Sequence, residues 1–308
     1  MSEFSDWSGK AVGLEASSNQ ITAVALDPNG GVADKRSIEV TSGSDVFEEL
    51  ARTMSFVKAA SPQIERVGLA VPGLVDREGG RIVHTTIRSI RNQSDIANAL
   101  RSASGLEVVV ENDANAAAIA EQKGGAGRGS ANIFYITVGE GIGGAIIING
   151  ELWRGDSGFA GEFGSIALNS EGMRLEDIAS AGSIVRRTQN RIHQDSTSSL
   201  SKIREDQITI DAIVSAAGKE DDFAVMMLER TGTYIGTAVA TVINLLNIER
   251  IVIGGAIMNA GAFVLEAVID RARELAFRPA FARTKIAAGE LGGDAAAIGA
   301  ALLATTKQ

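Results

Sequence analysis

Glu111-Asn112-Asp113 follows the apolar run 108–110, and in open α/β sheets ligands gather beyond the carboxyl ends of buried strands. A carboxylate at Asp113 would there accept the proton of a hydroxyl as it attacks a γ-phosphoryl group. Asp113 equally suits the N-cap or first turn of the alanine-rich segment 113–122, which accounts for it without chemistry. The loop Gly139-Glu140-Gly141-Ile142-Gly143-Gly144 between two apolar runs brings backbone N–H groups to phosphate oxygens, or simply turns a tight hairpin. Glu162, inside GFAGEFG at 158–164, suits a ligand with paired hydroxyls, and a solvated loop acid fits the same local pattern.

Other chemistries are closed to this chain. It has no cysteine, and its two histidines, His84 and His193, share no metal-ligand spacing, which leaves no disulfide, thiolate nucleophile or cysteine zinc site. A net charge of −9 opposes binding to a phosphate polymer. No run reaches the roughly 18 apolar residues of a membrane helix, and 1–10 lacks the apolar centre of a signal peptide. A cytoplasmic protein is expected, bound to neither nucleic acid nor membrane.

The elements that must position these residues follow from periodicity. Runs 11–14 and 21–26, with the turn Asp27-Pro28-Asn29-Gly30 behind them, predict strand, loop, strand, turn and strand. Ser44 is the expected N-cap of a helix over 45–60 that Pro62 ends. Strands at 67–71, 81–84 and 108–110 alternate with helices at 95–104 and 113–122, the last stopped by Gly124-Gly125, and the alternation implies α/β architecture. The pattern restarts at 133–138 with a glycine loop, a second strand over 145–148 and an Asn149-Gly150 turn. That restart suggests a duplicated pair of domains across a cleft. From Glu176 the chain reads as mainly helical, with a loop at 194–201, a buried strand at 251–253 entering Gly254-Gly255, and an apolar helix over 295–304.

Taken in order, these segments resemble the ROK family of repressors, uncharacterised reading frames and sugar kinases. The carrying motifs are VPGLVD at 71–76, ENDANAAA at 111–118, GEGIGGAIIINGELWRG at 139–155, GFAGEFG at 158–164, IVIGGAIMNAG at 251–261 and LGGDAAAIGAA at 291–301. The resemblance implies an actin-like, ribonuclease-H-like α/β fold of two domains, 1–113 plus 295–308 and 114–294, with ATP and a sugar meeting in the cleft. By position it makes Asp113 the catalytic base. Asn112, Glu162 and Glu176 become sugar ligands, Gly139 to Gly144 the second phosphate loop, Ser17 and Ser18 part of the first, and Gly254-Gly255 the adenosine-side motif. Mg²⁺ with ATP and a homodimer are implied in the same way.

Departures from the family pattern carry their own expectations. Glu15-Ala16-Ser17-Ser18-Asn19 stands where the kinases usually have Asp-x-Gly-Gly-Thr, and Glu140 replaces a threonine in the second loop, so an acid enters each phosphate loop. Two like charges about 4 Å apart at an effective dielectric near 20 repel by roughly 4 kcal/mol. Ser165 takes the place of the usual histidine, the zinc-binding cysteines are absent, and 85–92 lacks the Pro-Asn-Leu sugar segment. Two functions follow: an ATP-dependent kinase of a hexose or related sugar, or a sugar-binding regulatory protein with an impaired ATP site. With ten residues ahead of the first strand, no helix-turn-helix domain is expected.

Overall fold

The apolar runs at the start of the chain pair as β1 (Ala11–Ala16) and β2 (Gln20–Leu26), extended by β3 (Val32–Glu39). This arrangement comes from a computed structural model that describes residues 6–41, 44–76, 79–90 and 95–305. Of the stretches read above, 1–5, the 91–92 end of the sugar segment and 306–308 lie outside the described residues.

Next come α1 (Val46–Ala60), β4 (Arg66–Val71), the hairpin β5 (Leu74–Asp76) and β6 (Arg81–His84), α2 (Ile96–Ser104), β7 (Glu107–Asn112) and α3 (Asp113–Gly124). A second series runs β8 (Ile133–Val138), β9 (Ile142–Ile148), β10 (Glu151–Trp153), α4 (Leu175–Ala179), α5 (Ala181–Ile192), α6 (Ile210–Ala217) and α7 (Asp222–Leu246). It closes with β11 (Arg250–Gly254), α8 (Ala262–Leu275), α9 (Arg278–Phe281), β12 (Lys285–Ala288) and α10 (Ala295–Thr305).

The duplication is visible in the sheets, ordered β3-β2-β1-β4-β7 and β10-β9-β8-β11-β12. In each, the first strand pairs antiparallel with the next and parallel with the strand on its other side. The chain packs as two units, one of Met1–Arg128, Leu152–Ala160 and Gly293–Gln308, the other of Gly129–Glu151 and Gly161–Gly292. This division differs from the expected boundary at 113/114 because α3 packs against α10, which keeps the whole of α3 with the first sheet.

In the first unit, apolar residues of β1, β4 and β7 such as Leu14, Leu69 and Val110 share one buried core with Leu50 and Met54 of α1 and Leu100 of α2. Burial of this kind stabilises by about 25 cal/mol per Å² of apolar surface. On the sheet's α10 side glycines replace bulk: a Cβ on Gly13 or Gly68 would lie 2.1 or 1.9 Å from a carbonyl oxygen of α10.

One local expectation is corrected and one alternative is decided. Asp45, not Ser44, caps α1, its carboxylate accepting from the Phe47 N–H at 2.8 Å. Of the two places open to Asp113, the N-cap falls to Asn112, whose Oδ1 accepts from the Asn115 N–H at 3.0 Å, and Asp113 takes the first turn of α3. Among the described residues, no helix is long and apolar enough to cross a membrane.

Candidate functional site

In the first unit, β1, β4 and β7 run parallel and their carboxyl ends carry Ser17, Gly73 and Asn112-Asp113. Three hydrogen bonds hold the Asn112 amide there. Its Oδ1 caps α3, while Nδ2 donates to the Gly73 carbonyl at 2.9 Å and to Asp113 Oδ1 at 3.0 Å. Asp113 Oδ1 also accepts from the Ala114 N–H at 2.9 Å. Two donors thus fix the carboxylate at the head of a helix, where the helix dipole favours negative charge.

Beneath this pair lies a network that sequence reading left without a role. Glu111, only 2% exposed, accepts from Arg154 Nε at 3.2 Å and Arg154 Nη2 at 2.7 Å on one oxygen. Its other oxygen accepts from the Asn112 N–H and from Asn115 Nδ2. A buried acid of this kind is stable only with a cation and hydrogen bonds to match. The fork ties the Leu152–Ala160 segment to the β7–α3 junction. An acid ending an apolar strand was the signal for Glu111, whereas nothing near Arg154 in sequence pointed to its partner.

The first loop differs from its expected form. Glu15 lies within β1, opposite Thr22 of β2 and Ala70 of β4. Ser17 spends its hydroxyl on the β1–β2 turn, donating to the Asn19 Oδ1 and Gln20 carbonyl side while accepting from the Gln20 N–H. Ser18 is exposed at the tip. Beside the turn, a cavity of about 230 Å³ is lined by Glu15, Ser17, Gln20, Thr22, Lys35 and Asp294, with Lys35 paired to Asp294.

Burial pushes the Glu15 carboxyl up from 4.5 to about 8, with Asp113 and Asp294 adding to the rise and Lys35 opposing it. Near neutrality Glu15 is therefore mainly the neutral acid, and the fixed negative charge expected of this loop is absent. Because the folded form binds the proton more tightly than the unfolded one, the contribution of Glu15 to stability falls as pH rises from about 4.5 to about 8. Glu15→Gln, uncharged throughout, is expected to gain stability over the wild type as pH is raised from 5 to 8 in urea unfolding. A difference independent of pH would refute the shift.

In the second unit, β8 and β11 run parallel, with Gly254 opposite Thr137. Their carboxyl ends bring Gly139-Glu140-Gly141 beside Gly254-Gly255. The loop between strands is shorter than expected, since Gly143 and Gly144 belong to β9 and pair with Thr137 and Ile136. Gly144 serves packing, because a Cβ there would lie 2.7 Å from the Gly161 carbonyl oxygen and 2.9 Å from Phe163 Cβ. Gly254 and Gly255 are packed too. Their added Cβ atoms would meet the Tyr135 hydroxyl at 2.3 Å and the Val138 backbone at 2.5 Å, and Gly255 holds φ at 86°.

Gly139 and Gly141 differ from these. A Cβ on Gly139 meets nothing within 4 Å, and one on Gly141 meets only the Glu176 carboxylate, 2.9 Å from its nearer oxygen. Bare backbone of this kind admits a phosphate group. Glu176 is anchored to the same loop by accepting from the Ile142 N–H at 2.7 Å, and the Gly139 carbonyl accepts from the Ala181 N–H that opens α5. Glu140 is exposed. Glu162, also exposed, precedes the short helical turn Phe163–Ser165, which Phe163 fixes by packing edge-on against Phe134. Within this unit the structure thus gathers Gly139, Glu140, Gly141, Glu176, Gly254 and Gly255, and Asp113, Asn112, Ser17 and Ser18 are gathered in the other.

The profile of the ROK family matches residues 11–307. The chain belongs to the ROK family. It is similar to the glucokinase of Halalkalibacterium halodurans, 30% identical with 94% of this chain and 92% of the relative covered. It is also similar to the xylose repressor of Bacillus subtilis, 25% identical over 96% of this chain and 77% of that one. Among solved structures, the ROK glucokinase of Streptomyces griseus, in complex with glucose and AMPPNP, matches at a TM-score of 0.86 and 26% identity over 96% of this chain and 99% of that chain. A ROK transcriptional regulator homologous to the Mlc protein of Escherichia coli reaches 0.85 and 27% over 96% and 77%. The fold of this ROK protein is accordingly the actin-like, ribonuclease-H-like α/β fold. Kinases and repressors both stand among its relatives, so its function must be argued from its residues.

Proposed function

We propose that the protein is an ATP-dependent sugar kinase that transfers the γ-phosphoryl group to a hydroxyl of a hexose or related sugar. The observation that carries this reading is Asp113, a carboxylate fixed at the head of α3 by the Ala114 N–H and the Asn112 amide. In the reaction, the sugar hydroxyl oxygen bonds to the γ-phosphorus as the bond to the bridging oxygen of ADP breaks. Asp113 takes the hydroxyl proton. Asn112 positions Asp113, Glu162 and Glu176 bind sugar hydroxyls, and the backbone of Gly139 and Gly141 receives phosphate oxygens. Gly254 and Gly255 form the adenosine side. Mg²⁺ bound together with ATP would supply charge neutralisation on the phosphates. A cytoplasmic homodimer belongs to the same reading.

A second reading, a sugar-binding regulatory protein without productive ATP binding, is favoured by one residue, Glu140, exposed in the phosphate loop. One experiment separates the two. Purified protein with Mg-ATP and a panel of hexoses and amino sugars is expected to release ADP with at least one sugar. Release no higher than in sugar-free controls across the panel would sink the kinase, and calorimetry showing sugar binding without Mg-ATP binding would establish the regulator.

A further inference from the structure

The second unit carries a cationic cluster that the proposed reaction does not use. Arg187 and Arg191 stand four residues apart on α5, and therefore on one face of it. Arg230, next to Thr231 on α7, lies near enough to Arg187 to repel it, as do Arg191 and Arg186. Like charges at such spacing disfavour the helix that carries them. In a chain with nine more acids than bases, none of these four arginines forms an ion pair among the described residues.

Arg187 is the centre of the cluster. Its Nη2 donates to Thr231 Oγ1 at 2.6 Å and its guanidinium carbon lies 5.5 Å from the centre of the Tyr234 ring. These contacts lock the plane of the fork, while the Nε–H is buried without an acceptor. Burial lowers the guanidinium to about 10, against the pull of Tyr234 and aided by Arg230, Arg191 and Arg186, so it still carries its charge at neutral pH. Arg186 donates to the Asp177 carbonyl at 3.0 Å and to Ser183 Oγ at 3.2 Å, so it is held beside the cluster without an ion pair. A buried donor without an acceptor, beside cations that form no ion pair, is a defect unless an anion completes it. Planar guanidinium forks match the oxygens of a tetrahedral phosphate, which accepts several of them at once.

We propose that Arg187, Arg191 and Arg230, flanked by Arg186, form a binding site for a phosphoryl dianion on the α5–α7 face of the second unit. The occupant is free phosphate or the phosphate of a phosphomonoester. The proposal is independent of the chemistry assigned to Asp113. Calorimetric titration with inorganic phosphate, against chloride at matched ionic strength, is expected to show saturable binding. The double substitution Arg191→Ala with Arg230→Ala, at side chains that are not buried, is expected to weaken it at least tenfold while the melting curve keeps its shape. Arg187→Lys, which keeps the charge and loses the fork, is expected to weaken it as well. Phosphate that binds no better than chloride, or as well to the double variant as to the wild type, overturns the site, and the latter result would place the phosphate elsewhere, as at Gly139–Gly141. A hexose 6-phosphate binding tenfold tighter than inorganic phosphate assigns the site to a phosphomonoester, and equal affinity assigns it to free phosphate.

Discussion

Asp113→Asn is expected to lower kcat for the sugar that turns over by about 10³-fold, within the range a positioned general base contributes, while KM changes only a few-fold. The substitution is nearly isosteric. Its Oδ1 still accepts from the Ala114 N–H and the Asn112 amide, so the head of α3 and the fold should persist. What is lost is the capacity to take a proton in the transition state, and a loss confined to the transition state lowers kcat and kcat/KM together. Steady-state kinetics of both proteins, with melting curves as a control on folding, check the expectation. Retention of more than a tenth of the activity by a folded variant would show that Asp113 merely begins α3, the bland alternative that its sequence position always allowed.

Which account of Asp113 holds depends on neighbours that the sequence could not display. The order of strands was legible because apolar period and turn residues are local: Asn149-Gly150 turns with φ of 53° and 85°, as an Asn-Gly hairpin should. The cap of α1 was misjudged by one residue, at Asp45, and that of α3 was left open between Asp113 as cap and Asp113 in the first turn, since adjacent Ser, Asp and Asn residues are all capable caps and only backbone geometry selects among them. Gly144 was read as open to phosphate because a glycine needed for a ligand and a glycine needed for packing look alike in sequence. Its contacts with Gly161 and Phe163 come from a segment that follows the intervening hairpin.

Charge was the least legible property. In sequence Glu15 is simply an acid where the family has another, and an acid near a triphosphate reads as repulsion. In the fold it is buried and shares its surroundings with Asp113 and Asp294, distant from it in sequence, and burial together with that proximity keeps it mainly protonated near neutrality. The obstacle to phosphate in the first loop is therefore smaller than composition implied. Glu140, exposed in the second loop, retains the force of the original argument, which makes Mg-ATP affinity of Glu140→Thr against wild type the natural companion to the sugar panel.

Gly299→Ala is expected to destabilise the first unit by about 3 kcal/mol or more, a fall in melting temperature on the order of 10 °C. The added methyl would lie 1.7 Å from the Ala116 carbonyl oxygen of α3 and 2.3 Å from its carbon. Both are backbone atoms, so no side-chain rotation relieves the clash and the helices must separate. On its other face α10 has no room to retreat, because Gly13 of β1 and Gly68 of β4 already bring backbone against backbone there. Separation would also move α3, which begins at Asp113, so residual activity should fall further than the folded fraction alone explains. Gly124→Ala supplies the contrast. It lies in α3 with no atom within 4 Å of its added methyl and without a positive φ, so it should be neutral or stabilising by up to about 1 kcal/mol. Equal melting temperatures for the two variants would refute the close contact of α10 with α3, and with it the claim that the terminal helix holds the candidate base in place.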